Sequence, residues 1–247
     1  MTTFFISDLH LSQTRPEKIE LFQQLLQGPA LDADALYILG DLFENFWIGV
    51  DDPRAPNKQV LSLLRDYTVR PGTHLVMMRG NRDFHIDHRF AEATGCELVE
   101  DPQLINLDGE RVLLMHGDTL CSDDVDYQKW RKFIANPFIR WLNLHLPFSL
   151  RQRIATGVRE YTVEATEQKL PEITDVTQAT VVATMQKHNV LTLIHGHTHR
   201  QAMHDVTLES GAGRRIVLGD WYEKDCVLVK DSAGFRFERV VALLDNA

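Results

Sequence analysis

Five short apolar runs in this 247-residue chain each stop at a residue of one chemical kind. "TFFIS" runs into Asp8 and His10, "ALYILG" into Asp41 and "HLVMMRG" into Asn81, while "RVLLMHG" delivers His116 and "LTLIHG" delivers His197 and His199. Runs of roughly four to eight residues, rich in β-branched and aromatic side chains and closed by glycine, read as buried strands rather than helices. Helical periodicity fills the intervals in "PEKIELFQQLLQ", "NKQVLSLLRDY" and "TQATVVATMQKH". Strands alternating with helices predict an α/β fold, in which ligands gather beyond the carboxyl ends of the strands. "INLDGERVLLM" predicts a hairpin turning at Asp108-Gly109. "RRIVLGDWY", "DCVLVKD" and "FRFERVV" predict further strands near the C-terminus.

His195, His197 and His199 alternate, which in a strand would put them on one face. Gly196 instead marks the point where the strand ends and the backbone turns. His195 then stays in the strand as an ordinary buried histidine, and the other two are presented by a loop. Together Asp8, His10, Asp41, Asn81, His116, His197 and His199 offer carboxylate and amide oxygen and imidazole nitrogen without thiolate. Such a set suits Mn, Fe, Zn or a similar divalent ion. Seven ligands are too many for one catalytic ion that must also hold water and substrate. They suit two ions sharing a bridging carboxylate.

Composition narrows the function classes. A net charge of −9 argues against a protein built to coat nucleic acid. No apolar run approaches the roughly 20 residues of a membrane-spanning helix, and "MTTFFISDLH" lacks the basic start of a signal peptide. Cys96, Cys121 and Cys226 are odd in number and widely spaced, so a reducing cytoplasm is expected rather than a disulfide framework. A single domain over 1–247 is expected, interrupted at 123–172 by a helical stretch rich in Trp130, Phe133, Phe138, Trp141, Leu144 and Phe148. From Tyr127 to Arg159 there are seven Lys/Arg and no Asp or Glu, which leaves −16 for the remainder. That stretch reads either as a helical pair with solvated charges or as a cap that shelters acyl chains and leans on an anionic membrane.

The blocks Asp8-Leu9-His10, Gly40-Asp41, Gly80-Asn81, His116 and Gly196-His197-Thr198-His199 resemble, in order, the five-block signature of the calcineurin-like metallophosphoesterases. "YILGDLFE", "GNRDF", "MHGDTLC" with Asp123-Asp124, and "IHGHTHR" are similar to the branch of that superfamily that hydrolyses UDP-2,3-diacylglucosamine in lipid A biosynthesis. The resemblance implies an α/β sandwich of two mixed β-sheets flanked by helices, with a helical cap insertion. It implies two Mn²⁺ ions, one held by Asp8, His10, Asp41 and His199 and the other by Asp41, Asn81, His116 and His197. Asp41, Asn81, Arg82, His116 and His197 would be catalytic. Substrate contacts would come from Asn81, Arg82, Asp124, Thr162, Thr166, Lys169 and His197, with Thr162 and Thr166 standing where the family more usually has Ser and Asn.

The implied reaction is hydrolysis of the pyrophosphate bond of UDP-2,3-diacylglucosamine to 2,3-diacylglucosamine 1-phosphate (lipid X) and UMP, by attack of a dimetal-bound hydroxide on the α phosphorus. The implied location is cytoplasmic, peripheral to the anionic inner-membrane surface, with no nucleic-acid partner. Simple chemistry agrees. Two divalent ions bring four positive charges and Asp8 and Asp41 return two, so the excess attracts a phosphate ester and acidifies bound water. Arg82 is the informative departure, because many superfamily members have histidine there as the acid for an alkoxide leaving group. Arginine donates no proton but clamps phosphate. A phosphate leaving group, with a second pKa near 6, needs no acid. Asp83, Asp118 and Glu44 sit beside ligands and would orient histidines or neighbouring loops. The rival readings are a phosphodiesterase acting on a nucleotide or nucleic acid, and a scaffold that keeps the fold without catalysis.

Overall fold

The computed structural model describes residues 1–53, 56–167, 175–222 and 224–245, with backbone only over 159–167. Six strands form one mixed sheet, in the order β11 (Gly234–Arg239), β10 (Cys226–Asp231), β1 (Thr3–Ile6), β2 (Ala35–Leu39), β3 (Leu75–Met78) and β4 (Glu97–Val99). Strands β1 to β4 are parallel, and β10 and β11 join antiparallel. The second mixed sheet runs β5 (Gln103–Leu107), β6 (Glu110–Met115), β7 (Thr192–His195), β9 (Gly211–Val217) and β8 (Ala202–Leu208). Within it β6, β7 and β9 are parallel, while β5 and β8 are antiparallel edges.

The unbroken apolar runs follow from burial on both faces. On β1, Phe5 packs between the sheets with Val76, Leu114, Ile194 and Leu228. Its neighbours Phe4 and Ile6 face the opposite layer, with Phe22, Leu25, Leu64 and Phe90. That layer is built by α1 (Pro16–Gln27), α2 (Asn57–Thr68), α3 (His88–Thr94) and, at the C-terminus, α8 (Val240–Asp245). In α1 the buried Ile19, Phe22, Leu25 and Leu26 recur at helical spacing behind a proline in the first turn. The outer face of the second sheet is covered by α7 (Gln178–His188) through Val181 and Met185.

The hairpin turns where expected, with Asp108 at φ 52° and Gly109 at φ 91°, the pair of positive angles a two-residue turn requires. "FRFERVV" divides, contrary to the expectation of a strand throughout: β11 ends at Arg239, and the fully buried Val240 starts α8. Strands β4 and β8 and helix α3 were not foreseen. β4 has three residues, β8 exposes most of its side chains, and α3 spans two turns, so none carries a readable period.

Between β6 and α7 lie α4 (Val125–Ile134), α5 (Pro137–His145) and α6 (Phe148–Glu167). Asp124 and Asn136 cap α4 and α5 by accepting backbone N–H bonds. Side chains pin these helices to the sandwich. Asn143 Nδ2 bonds Trp47 O at 3.3 Å and His85 Nε2 at 3.0 Å, and Arg140 donates to Ile86 O at 3.0 Å. Arg151 donates to Ile48 O and to Asp51 at 3.1 Å. Arg131 reaches Asp118 and Asp101. Three of the seven cations in this stretch therefore point inward as structural pins. The outer surface carries Lys129, Lys132 and Arg153 together with a broad apolar set: Phe133, Phe138, Trp141, Leu142, Phe148 and Leu150 are all exposed, Phe138 by 64%. Among the described residues, no helix is long and apolar enough to cross a membrane.

Candidate metal centre

Every parallel strand that carries one of the predicted residues releases it within five positions of its carboxyl end, and the two sheets bring those ends together. The loop after β1 carries Asp8 and His10, that after β2 Asp41, and that after β3 Asn81; β6 leads to His116 and β7 to His197 and His199. The strand β7 ends at His195, so the turn at Gly196 separates the three histidines as expected. Five of these residues, Asp8, His10, Asp41, His197 and His199, have positive φ between 48° and 68°.

Two groups of atoms converge. In the first, His10 Nε2 and His199 Nε2 are 3.2 Å apart, and Asp8 Oδ1 lies 3.4 Å from His199 Nε2 and 4.0 Å from His10 Nε2. In the second, Asn81 Oδ1 is 2.9 Å from both His116 Nε2 and His197 Nδ1. Asp41 stands between them, with Oδ2 3.9 Å from His10 Nε2 and Oδ1 3.7 Å from His116 Nε2. Separations near 3 Å between nitrogen and oxygen atoms suit neighbours around one ion with bonds of roughly 2.0–2.2 Å. Asp8 supplies a direct test of fit. Its Oδ2 accepts from Ser7 Oγ at 2.6 Å and His197 N at 2.9 Å, whereas its Oδ1 is buried and accepts no hydrogen bond. A buried carboxylate oxygen left open toward two imidazoles fits a divalent cation.

The surrounding groups fix which nitrogen faces inward. His116 Nδ1 donates to Leu39 O at 2.9 Å, leaving Nε2 for the site. Glu44 lies 3.4 Å from His10 Nδ1 and Asp220 3.6 Å from His199 Nδ1, carboxylates close enough to attract the outward ring nitrogens. Asp83 touches no histidine ring. Its two oxygens accept from Gly80 N at 2.6 Å and Leu42 N at 2.9 Å and so staple the Asp41 and Asn81 loops together. Burial and the nearby Asp41 push its carboxyl up to about 7. His195 is fully buried, with Nε2 3.2 Å from Arg215; burial pushes it down to about 3, which keeps it neutral. It is the structural histidine the sequence predicts.

A cavity of about 250 Å³ opens on the converging atoms and is lined by Arg82, Cys121, Asp124, Tyr127, Thr198 and Tyr222 as well. The Arg82 backbone N–H donates to Asp41 at 2.7 Å, and Arg82 lines the cavity, where its charge helps hold the Glu44 carboxyl below the usual range. Asp124 reaches the same cavity while capping α4. Thr162 and Thr166 lie on α6 with side chains outside the described residues, and Lys169 lies outside them altogether. Sequence reasoning missed Tyr127, Tyr222 and Asp220. Asp220 had a signal: "VLGD" after β9 repeats the punctuation of "ILGD" after β2. The tyrosines had none, since their neighbours come from distant segments.

The calcineurin-like phosphoesterase family profile matches residues 1–201. The chain is 47% identical to the UDP-2,3-diacylglucosamine hydrolase of Pseudomonas putida (strain W619), over 94% of this chain and 96% of that one. It is 47% identical to the protein of the same name from Pseudomonas entomophila (strain L48), over 94% and 95% of the two chains. For the protein of that name in Azotobacter vinelandii (strain DJ / ATCC BAA-1303) the identity is 45%, over 95% and 97%. With two mixed sheets flanked by helices, oxygen and nitrogen ligands converging at their strand ends and a profile match over most of its length, the chain belongs to the calcineurin-like phosphoesterase family.

Proposed function

We propose that this protein is an enzyme that hydrolyses the pyrophosphate bond of UDP-2,3-diacylglucosamine, giving 2,3-diacylglucosamine 1-phosphate and UMP in lipid A biosynthesis. The observation that carries the reading is the pairing of two ligand clusters through Asp41 with an arginine, Arg82, lining the same cavity. Asp8, His10, Asp41 and His199 would hold one divalent ion, and Asp41, Asn81, His116 and His197 the other. Manganese suits the oxygen and imidazole donors, as would iron or zinc. Bound there, the ions supply positive charge to the phosphoryl oxygens and lower the pKa of water.

The protein's own groups do the rest. Arg82 binds the phosphate adjoining the scissile bond and keeps it oriented. It cannot protonate the departing oxygen, and a departing phosphate monoester does not require it. Glu44 and Asp220 hold the rings of His10 and His199 in place, and Leu39 O does so for His116. Helices α4 to α6 serve as a cap over the lipid part of the substrate. Their exposed apolar surface supports peripheral attachment to an anionic inner-membrane surface from the cytoplasmic side. The acidic overall balance argues against a nucleic-acid partner.

Hydrolysis in ¹⁸O-water with Mn²⁺ tests the reaction, since attack on the phosphorus next to uridine puts the label in UMP. Label in the lipid monophosphate would move the attack to the other phosphorus. Absence of UMP, with turnover of a simple nitrophenyl phosphodiester, would favour the general phosphodiesterase reading.

A further inference from the structure

Asp118 lies two residues past His116, is 1% exposed, and touches no candidate metal ligand through a hydrogen bond. Its contacts go the other way, to α4. One carboxylate oxygen, Oδ2, accepts from the Tyr127 hydroxyl at 2.6 Å and from Arg131 Nε. Its main-chain carbonyl accepts from Gln128 Nε2 at 2.8 Å. Residues 127, 128 and 131 share one face of a helix, so the inward face of α4 is fastened to a single residue of the loop that presents His116. Gln128 adds a bond to Cys121 O at 3.0 Å, and Arg131 a second ion pair to Asp101 at 3.4 Å.

This fastening places Tyr127. Its ring lies 6.1 Å from that of His197 with 26° between the planes, on the wall of the cavity that holds Arg82 and Asp124. Because the hydroxyl donates its hydrogen bond to Asp118, Tyr127 meets whatever enters as a flat aromatic wall and not as an acid. Burial, then Asp118, holds the phenol well above its ordinary range, which agrees.

We infer that Asp118 is a positioning residue: it docks α4 on the metal-centre loops and so sets the Tyr127 ring against His197, fixing the width of the cavity beneath the helical insertion. The inference rests on the proposed reaction for its substrate, and on geometry alone for the docking. The group it governs is the part of the substrate that passes under α4, so its effect falls on binding.

The test uses the full chain loaded with Mn²⁺ and compares Asp118→Ala, Asp118→Asn and Tyr127→Phe. Hydrogen bonds to a charged acceptor are strong enough that Asp118→Ala should raise the KM for UDP-2,3-diacylglucosamine about tenfold or more, while kcat changes less than KM. Asp118→Asn keeps an acceptor oxygen and should recover part of the loss. The KM effects of Asp118→Ala and Tyr127→Phe should be less than additive in the double variant. Amides of residues 125–134 should exchange with deuterium faster in Asp118→Ala, with bound manganese unchanged. Equal falls in kcat and kcat/KM together with lost metal would make Asp118 part of the metal centre and overturn the inference. So would unchanged exchange over α4, or additive KM effects. The exchange measurement needs no substrate, so wild-type inactivity on the lipid would sink the proposed reaction while leaving the docking claim to be judged on exchange.

Discussion

Gly80→Ala is a one-carbon change that should disable the centre without replacing a ligand. A Cβ at residue 80 would sit 2.2 Å from Asp41 Oδ1, 2.3 Å from Asp41 N and 2.9 Å from Asp41 Cγ. Ordinary contact between non-bonded heavy atoms begins near ~3.5 Å, so something must move by about 1 Å. Neither side gives easily. Gly80 N is held by Asp83 at 2.6 Å, and Asp41 Oδ1 takes the Arg82 N–H at 2.7 Å. Overpacking of this kind costs about 1–3 kcal/mol, which for a chain of this size lowers Tm by roughly 2–4 °C for each kcal/mol. Activity should suffer far more than stability. Metal sites tolerate only about 0.2 Å of ligand displacement, and Asp41 is shared by both clusters. Misplacement by 1 Å predicts a loss of about 100-fold or more in kcat. The assay is turnover with Mn²⁺ alongside metal content by plasma mass spectrometry and a thermal melt. Gly157→Ala controls for the methyl group, since among the described residues nothing lies within 4 Å of its added Cβ, and a helical Gly to Ala change stabilises by up to about 1 kcal/mol. A Gly80→Ala enzyme with two bound ions and turnover within tenfold of wild type would refute the claim that Asp41 bridges both clusters.

Arg82→Lys keeps the charge but loses the bidentate fork, so it should raise KM for the pyrophosphate substrate about tenfold with metal content unchanged; steady-state kinetics and metal analysis decide. Asp220→Asn should lower affinity for the ion beside His199 by about 10–100-fold, read by titration against a chelator, because the outer partner of a ligating histidine sets its basicity. His85, buried against Trp47 and Asn143, is pushed down to about 4 by burial and then by Arg140. It is neutral in the fold, so its contribution is fully present above the unfolded pKa of about 6.5 and is lost as pH falls towards 4, a swing of about 3 kcal/mol that His85→Gln should flatten in urea melts. Replacing Phe138, Trp141 and Leu142 with Ser should release the protein from anionic vesicles in a sedimentation assay, and equal binding by wild type and variant would return that surface to a packed helical cap.

The centre was legible because chain direction and chemistry coincide. Parallel strands release their residues at one end, and in this chain each release point is marked by Asp, Asn or His after an apolar run. The helical insertion was less legible. Its cation count is correct, but a count carries no direction, and Arg131, Arg140 and Arg151 turn inward to Asp118, Ile86 O, Ile48 O and Asp51. What remains outside is an aromatic and apolar surface that carries Lys129, Lys132 and Arg153 among its exposed residues. Asp118 shows the same limit from the other side. Its place beside His116 suggests a residue that orients a histidine or a neighbouring loop, and the fold gives its carboxylate to a tyrosine and an arginine that follow it by 9 and 13 residues.

The ligand loops also explain why these residue types recur where they do. Asp8, His10, Asp41, His197 and His199 all occupy the left-handed region, where a side chain costs roughly 1–2 kcal/mol and where Asp, Asn and His are tolerated better than branched residues. The fold offsets that cost by extending strand pairing beyond the strands. Asp8 N bonds Gly40 O at 3.1 Å, His10 N bonds Asp41 O at 3.0 Å and Leu11 N bonds Leu42 O at 2.9 Å, so the loops after β1 and β2 are laced together. Asp83 fastens the loop after β3 to the same pair, and Gly196 N bonds His116 O at 2.8 Å to join the loops of the other sheet. A left-handed residue two to four positions past a strand end is free of the pleat, and here these side chains gather over the strand ends. The polar residues at these positions thus satisfy two demands at once, a backbone angle that β-branched residues resist and a donor atom for a cation. Because backbone hydrogen bonds tie the loops to one another, the fold itself sets the geometry of the candidate centre, and ions held there would replace the repulsion among converging lone pairs with bonds.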